Sequence, residues 1–335
     1  MGHYIATPDT CAIMKVRIGA DISTESYPYH QSFDLGSVKI TFIPAGHILG
    51  SAQVVIDDGQ SRAIVTGDFK TDHDPTVDAF ESQPTDLLVM ETTFALPIYH
   101  WPNPDTVFEN INQFWKTNQA NGLHTILYAY SLGKAQRLIA GIDHSIGPVA
   151  VHSAVEKMNQ LYIDAGKLNH HPPNCTKEWL QECSQPGLII APPAVIGSSW
   201  LKKLTPYREA YVSGWMLSKG QVRRRNMHGF VLSDHADWNG LNQAVKKMNP
   251  STVWTMHGST DIYAKYLTEN SIDARPLSSL QLERSERRLF SEKHDWHLST
   301  TRELWQLHAI EAADRSFSRL LVYLQQHGRH QELPE

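Results

Sequence analysis

A chain of 335 residues with 41% hydrophobic content is long enough for two domains and apolar enough to fill ordinary cores, which excludes an unfolded chain. The formal charge of −5 excludes a protein that coats nucleic acid over its whole surface, so any such contact must be a local basic patch. Cys11, Cys175 and Cys183 are an odd and sparse set, and neither a signal peptide nor a long apolar run is visible, which points to the cytoplasm and to no membrane partner.

In chain order, Met1 to Ala6 reads as a strand, and Thr7-Pro8-Asp9 as a cap-plus-proline helix start with the helix running to about Gly19. Val38, Ile40 and Phe42 alternate with polar neighbours, as do Ala52, Val54 and Ile56, and Asp58-Gly59 turns the latter into a return strand through Ala63 and Val65. This pattern predicts an antiparallel meander. The apolar run Leu87 to Met90 predicts a buried strand that delivers Glu91.

From about Leu96 strands alternate with helices. Asn103-Pro104 opens a helix carrying Val107, Ile111 and Phe114, and the strand Thr125–Tyr128 runs into a capped helix at Ser131-Leu132-Gly133-Lys134. A strand at Val149–Val151 leads to Ser153, with Glu156 at capping-box spacing, and further strands are read at Leu188–Ala191 and Tyr211–Trp215. Such alternation predicts a parallel α/β unit inserted into the first domain. Phe230-Val231-Leu232 and Val253-Trp254-Thr255 then read as strands of the first domain, and Asp237 as the cap of a helix through Met248. Beyond about Leu280, Leu304, Leu307, Phe317, Leu320, Leu321 and Leu324 follow a helical stripe.

Metal-ligand residues recur just past strand ends: Ala45-Gly46-His47, Thr66-Gly67-Asp68, Ser233-Asp234-His235-Ala236-Asp237 and Met256-His257-Gly258. A lone histidine beside a glycine is more often a turn or a core residue. Several at strand ends, where loops can aim imidazole and carboxylate at a shared ion, suit a metal site on the rim of a sheet. Arg223-Arg224-Arg225, with Lys202, Lys203 and Lys219, is the strong basic concentration, either a solvated loop or a track for a phosphate backbone.

In this order the motifs resemble the later motifs of the metallo-β-lactamase superfamily in its nucleic-acid-cutting branch, the β-CASP nucleases. The bacterial ligase-associated DNA exonucleases, also described as mRNA 3′-end processing factor-like, are the most similar group. The resemblance implies an α/β fold: a metallo-β-lactamase αββα sandwich, short of its first strands, over residues 1–95 and 230–278. A β-CASP insert would occupy residues 96–229, and a helical tail of unassigned role residues 279–335. It further implies a two-zinc site in which Asp68 bridges the ions, His47 completes one shell and His257 the other. His235 would sit beside the scissile phosphate as general acid or electrostatic clamp, and Glu91 would hold a ligating or catalytic histidine. Ser131, Gly133 and Lys134 match the family's element for gripping phosphate in the insert, with Arg223, Arg224 and Arg225 as a further backbone contact.

The implied reaction is hydrolysis of DNA by a metal-activated hydroxide, in repair beside an ATP-dependent DNA ligase. An RNA-processing nuclease and a non-catalytic nucleic-acid-binding scaffold of the same fold stay open, and a histidine at position 257 is more typical of RNA-cutting members. The family's upstream His-x-His-x-Asp-His loop has no counterpart in the chain. His47, Asp68 and His257 alone are too few for two ions roughly 3.5–4 Å apart. The expectation is therefore weak metal binding, poor cutting and, with edge strands missing, exposed sheet.

Overall fold

In the computed structural model, which describes residues 3–218 and 227–279, the chain runs through β1 (His3–Ala6), α1 (Pro8–Arg17), β2 (Ser23–Ser26), β3 (Ser32–Leu35), β4 (Val38–Pro44), β5 (Ala52–Asp57), β6 (Arg62–Val65) and β7 (Leu87–Thr92). Next come α2 (Pro104–Ala120), β8 (His124–Tyr128), α3 (Lys134–Gly141), β9 (Val149–Val151), α4 (Ser153–Asp164), α5 (Lys177–Glu182), β10 (Leu188–Ala191), β11 (Tyr207–Val212) and β12 (His228–Phe230). The last described elements are α6 (Trp238–Met248), β13 (Thr252–Gly258), α7 (Thr260–Glu269) and β14 (Asp273–Pro276). These elements are mixed α/β and divide into two units. One holds described residues 3–72, 79–99 and 235–279, the other 73–78, 100–218 and 227–234.

In the first unit a seven-stranded sheet has the order β14-β13-β7-β6-β5-β4-β3. β3 to β6 pair antiparallel, whereas β6, β7, β13 and β14 are parallel. The period of two sends Phe42, Val54, Val65 and Val89 to one core, and Ile43, Val55, Ile64 and Leu88 to another. Leu241, Ala244, Val245 and Met248 of α6 and Tyr263 and Leu267 of α7 join the second core. Asp237 caps α6 by accepting the Gly240 N–H at 2.8 Å, and Asn249 ends it in the left-handed region at φ 46°. β1 and β2 form a separate parallel pair on which Cys11 and Met14 of α1 pack.

The second unit carries a five-stranded, wholly parallel sheet of order β12-β11-β8-β10-β9. Its strands are apolar runs such as the fully buried Leu188–Ala191, as expected of a sheet covered on both faces. α2 buries Val107, Ile111 and Trp115 at helical spacing, starts at the Asn103 cap and ends before Gly122, whose φ is +72°.

Several local expectations change. β2 carries no clear apolar alternation and exists through pairing with β1, while the short β3, unread in the sequence, alternates Phe33 and Leu35 against the core and pairs with β4. The α4 cap is His152, whose Nδ1 accepts the Ala154 N–H at 3.1 Å, not Ser153. β11 begins at Tyr207, four residues before the expected strand. β12 was expected in the first domain, but it pairs with β11 through Ala210–His228 and Val212–Phe230, so it belongs to the parallel sheet. The change between units falls at Tyr99/His100 and Asp234/His235 rather than at 95/96 and 229/230, and residues 73–78 also join the second unit. The expected tail at 279–335 lies, beyond Ser279, outside the described residues. Among the described residues no helix is long and apolar enough to cross a membrane.

Candidate metal centre

Two loops that leave the first unit's sheet, and the segment just before α6, are stitched together by their backbones. After β4, Ala45 N–H donates to the Ser51 carbonyl at 3.0 Å, and the Ser51 hydroxyl oxygen accepts the N–H groups of His47 and Ile48, both at 3.1 Å. After β6, the Lys70 N–H donates to the Ala45 carbonyl at 3.0 Å, tying the Asp68 loop to the His47 loop. The Ala236 N–H donates to the Phe69 carbonyl at 2.8 Å and adds the His235 segment. Gly46 sits at φ +73°, and a Cβ there would collide with the Lys70 carbonyl oxygen, so the residue before His47 must be glycine for the loops to approach.

This stitching brings His47, Asp68 and His235 into one group whose ligand atoms all lie within 4.8 Å of one another, and it is the one such group of three among the described residues. His47 Nε2 stands 3.9 Å from Asp68 Oδ2, and the rings of His47 and His235 have centroids 4.8 Å apart. Donors bound at about 2.0–2.2 Å to one tetrahedral ion lie roughly 3.4 Å from each other, so a small side-chain adjustment closes this set on a cation. Two imidazoles and a carboxylate suit zinc and similar divalent ions. The His47 and Asp68 side chains are 13% and 14% exposed, enough to admit a small ligand.

Glu91, at the end of β7, is 1% exposed. Its Oε1 accepts the Phe69 N–H at 2.9 Å and lies 2.7 Å from His235 Nδ1, and its Oε2 accepts the Thr93 N–H at 3.3 Å. Burial pushes the carboxyl up, but the charge of His235, its hydrogen bond, Thr93 and the Phe69 N–H outweigh burial and hold it well below the usual carboxylate range. An ionised carboxylate only accepts, so His235 Nδ1 carries a proton, and once the ring is neutral Nε2 is the nitrogen able to act as a ligand atom.

The remaining expected site residues are not members of this group. His257 is not a member of the three-residue group. It occupies a register shift of β13 against Glu91 and Thr92 at φ +57°, a bulge that re-aims a side chain, and its carbonyl accepts the Thr92 hydroxyl. In the second unit, Lys134 is 3% exposed and its Nζ lies 3.1 Å from Asp234 Oδ2 and 4.8 Å over the Tyr130 ring. The lysine expected to meet phosphate is thus engaged in an internal ion pair here. Gly133 N–H already donates to Gln136 Oε1 at 2.8 Å, and the Ala135 N–H to the carbonyl of Tyr130 at 3.1 Å, so the start of α3 is committed internally as well. Ser131 is partly exposed beside this turn, and its carbonyl accepts a hydrogen bond from Gln136 Nε2 at 3.1 Å. Arg223, Arg224 and Arg225 lie outside the described residues. Arg137 went unread in the sequence although it is 3% exposed, with Nε 3.3 Å from Asp74 Oδ2 and Nη1 donating to the Ser233 carbonyl at 2.6 Å. The available signal was its spacing from Lys134 on a helix whose other residues, Gln136 apart, are apolar or small.

Two histidines and an aspartate thus meet beside the mixed sheet, with a buried glutamate behind one histidine, in an arrangement that could hold a divalent cation. No protein-family profile matches the chain. It is 31% identical over 275 residues to a probable DNA ligase of Opitutus terrae, covering 81% of this chain and 27% of that one. It is 30% identical over 122 residues to endoribonuclease YSH1 of Eremothecium gossypii, covering 36% of this chain and 15% of the relative. Cleavage and polyadenylation specificity factor subunit 3 of Dictyostelium discoideum is 27% identical over 121 residues, covering 36% and 14%. The chain therefore spans about a quarter or less of the length of these relatives. These likenesses support a β-CASP metallo-β-lactamase nuclease family for the chain.

Proposed function

We propose that this chain carries the metal-dependent phosphodiester hydrolysis site of a DNA nuclease, with His47, Asp68 and His235 holding a zinc ion and Glu91 orienting His235. The convergence of those three ligand groups on one locus is the observation that carries this reading. The parallel α/β unit corresponds in it to the β-CASP insert. DNA is favoured because similarity to the probable DNA ligase extends over 81% of the chain, whereas similarity to the endoribonuclease covers 36%. That shorter stretch supports RNA as the second reading. A ligase is the partner class in the first reading, and the cytoplasm the place.

A bound cation would supply positive charge that polarises a phosphodiester and acidifies water. The chain's own residues do the rest. Asp68 offers a negative charge to the cation, His47 and His235 offer neutral nitrogens, and Glu91 keeps the His235 proton on Nδ1 by a 2.7 Å hydrogen bond. Three protein ligands meet the need of one catalytic-type ion, which keeps an open position, and fall short of a two-ion centre. The second zinc expected from the resemblance would need ligands beyond this group, and His257 at its bulge is the candidate nearest in the family's pattern.

The test combines zinc titration with incubation of labelled DNA and RNA. The reading expects slow, chelator-sensitive cleavage, faster on DNA, that Asp68→Ala abolishes together with zinc binding. Cleavage indifferent to both the chelator and Asp68→Ala would overturn it, and a preference for RNA would select the second reading.

A further inference from the structure

The second unit holds a cavity of about 420 Å³ lined by Phe114, Tyr207, Arg208, Glu209, Met227 and His228, all residues of that unit. It lies at the amino ends of β11 and β12, where the parallel sheet runs short: β8 pairs with β11 from Tyr207 onward, whereas among the described residues β12 pairs with it only from Ala210. Its size falls within the roughly 300–1,000 Å³ of small-ligand clefts. One wall is a flat pair of rings, His228 stacked on Phe114 with centroids 5.0 Å apart and planes 13° from parallel. Phe230 meets both edge-on, 5.6 Å from Phe114 and 4.7 Å from His228, and so fixes the wall from behind.

Two charges share the cavity with these rings. Neighbours in a strand point to opposite faces, so Arg208 and Glu209 are not placed to neutralise each other. The buried Tyr128 donates its hydroxyl to Glu209 Oε2 at 2.6 Å, the one hydrogen bond of that carboxylate among the described residues. An ionised carboxylate has about four lone-pair sites, so it can still accept two donors lying side by side. Arg208 is exposed and forms no salt bridge among the described residues. Packing of the rings would cover the sheet end without either charge. Together the set asks for a planar ring, a pair of adjacent N–H donors on its edge, and an anionic group. Among the common bases guanine alone presents such a pair, N1–H and N2–H; adenine and cytosine set an amino group beside an acceptor, and uracil and thymine hold a single N–H between carbonyls.

We propose that this cavity binds a guanine nucleotide, with the base against the Phe114–His228 wall, its N1–H and N2–H donated to Glu209, and its phosphate met by Arg208. Glu209 then sets the choice of base, the ring wall supplies stacking that any base can use, and Arg208 supplies charge. The guanine comes either from a free mononucleotide or from an unpaired position of a single strand, since both offer the same edge. None of these residues belongs to the His47, Asp68 and His235 group, so the proposal stands or falls apart from the metal centre.

The test is calorimetric titration of the full chain with guanosine 5′-monophosphate in the presence of a chelator, which silences the metal centre, with thermal melting as the folding control. The guanine nucleotide is expected to bind at least about fivefold tighter than its adenine, cytosine and uracil counterparts, the low end for one bidentate contact to a base. Glu209→Gln can still accept the Tyr128 hydroxyl and should bring guanine to within about twofold of adenine. Phe114→Leu keeps apolar volume without a ring face and should weaken every nucleotide by about fivefold or more. Arg208→Gln should erase the advantage of the monophosphate over guanosine. Should Glu209→Gln or Phe114→Leu not fold, the ranking of nucleotides by the unaltered chain and the exposed Arg208→Gln still decide. A thymidine heptamer with one central guanine separates the two sources: binding like that of the mononucleotide assigns the site to a base within a strand, and failure of the heptamer alone assigns it to the free nucleotide. No binding of the guanine mononucleotide at millimolar concentration, or equal binding of all the nucleotides, overturns the proposal.

Discussion

Two polar constellations carry opposite chemistry in this molecule. At the strand ends of the first unit, His47, Asp68 and His235 bring ligand atoms within 4.8 Å of one another. At the start of α3 in the second unit, Lys134 and Arg137 each face a carboxylate, and the amides of the first turn have acceptors in their own loop. Charge neutralised in place marks a structural device, whereas grouped nitrogen and carboxylate ligands mark a place for a cation. A lysine at a glycine-led helix start looks the same in either role when only the sequence is read.

Stability and metal affinity should therefore respond to opposite sets of substitutions. Arg137→Met should have the largest effect on folding, because it leaves Asp74 buried without its cation, a loss of about 3–5 kcal/mol in urea denaturation of the metal-free chain. A smaller loss, under about 1 kcal/mol, would show that Asp74 is relieved by water. Asp68→Ala should leave that metal-free stability nearly unchanged while lowering zinc affinity by more than about a hundredfold, beyond the range seen for groups that merely orient ligands. Equal damage to folding and binding would erase the distinction between the two constellations.

Glu91→Gln keeps the volume but loses the charge that holds the His235 proton on Nδ1, and zinc affinity measured by competition with a chromogenic chelator should fall by about 10–100-fold. At the small end, Asp237→Ala removes the N-cap of α6 and should cost about 1 kcal/mol in thermal or urea unfolding with zinc affinity within about twofold. A larger effect on zinc would mean that the α6 start also steers His235, two residues before it.

How much of this was legible in the sequence follows the range of the interactions. The Asp237 cap, the Asp58-Gly59 hairpin and the helix start at Asn103-Pro104 are local, and each announces itself within four residues. The ligand types of the cluster were readable as His47 and Asp68 just past apolar strands. His235 was readable as a site residue beside the scissile phosphate, but not as the third member of this group, because it meets Glu91 across 144 residues of chain and the sequence offered His257 as an equally good strand-end histidine. What separates the two is backbone geometry: His257 falls on a bulge at positive φ, while Ala236 is tied to Phe69. The ion pair of Lys134 was unreadable for the same reason, since its partner Asp234 lies a hundred residues away and no local pattern reveals it. β2 went unread because its residues, Ser23 to Ser26, gain their strand conformation from β1 rather than from an apolar face.

The most direct measurement is anomalous diffraction at the zinc edge from crystals of this chain grown with zinc. The account predicts a peak about 2.0–2.2 Å from one ligand atom each of His47, Asp68 and His235, with His235 Nδ1 still bonded to Glu91. A peak that engages His257 while leaving Asp68 or His235 unligated, or no peak at this locus at saturating zinc, would contradict it.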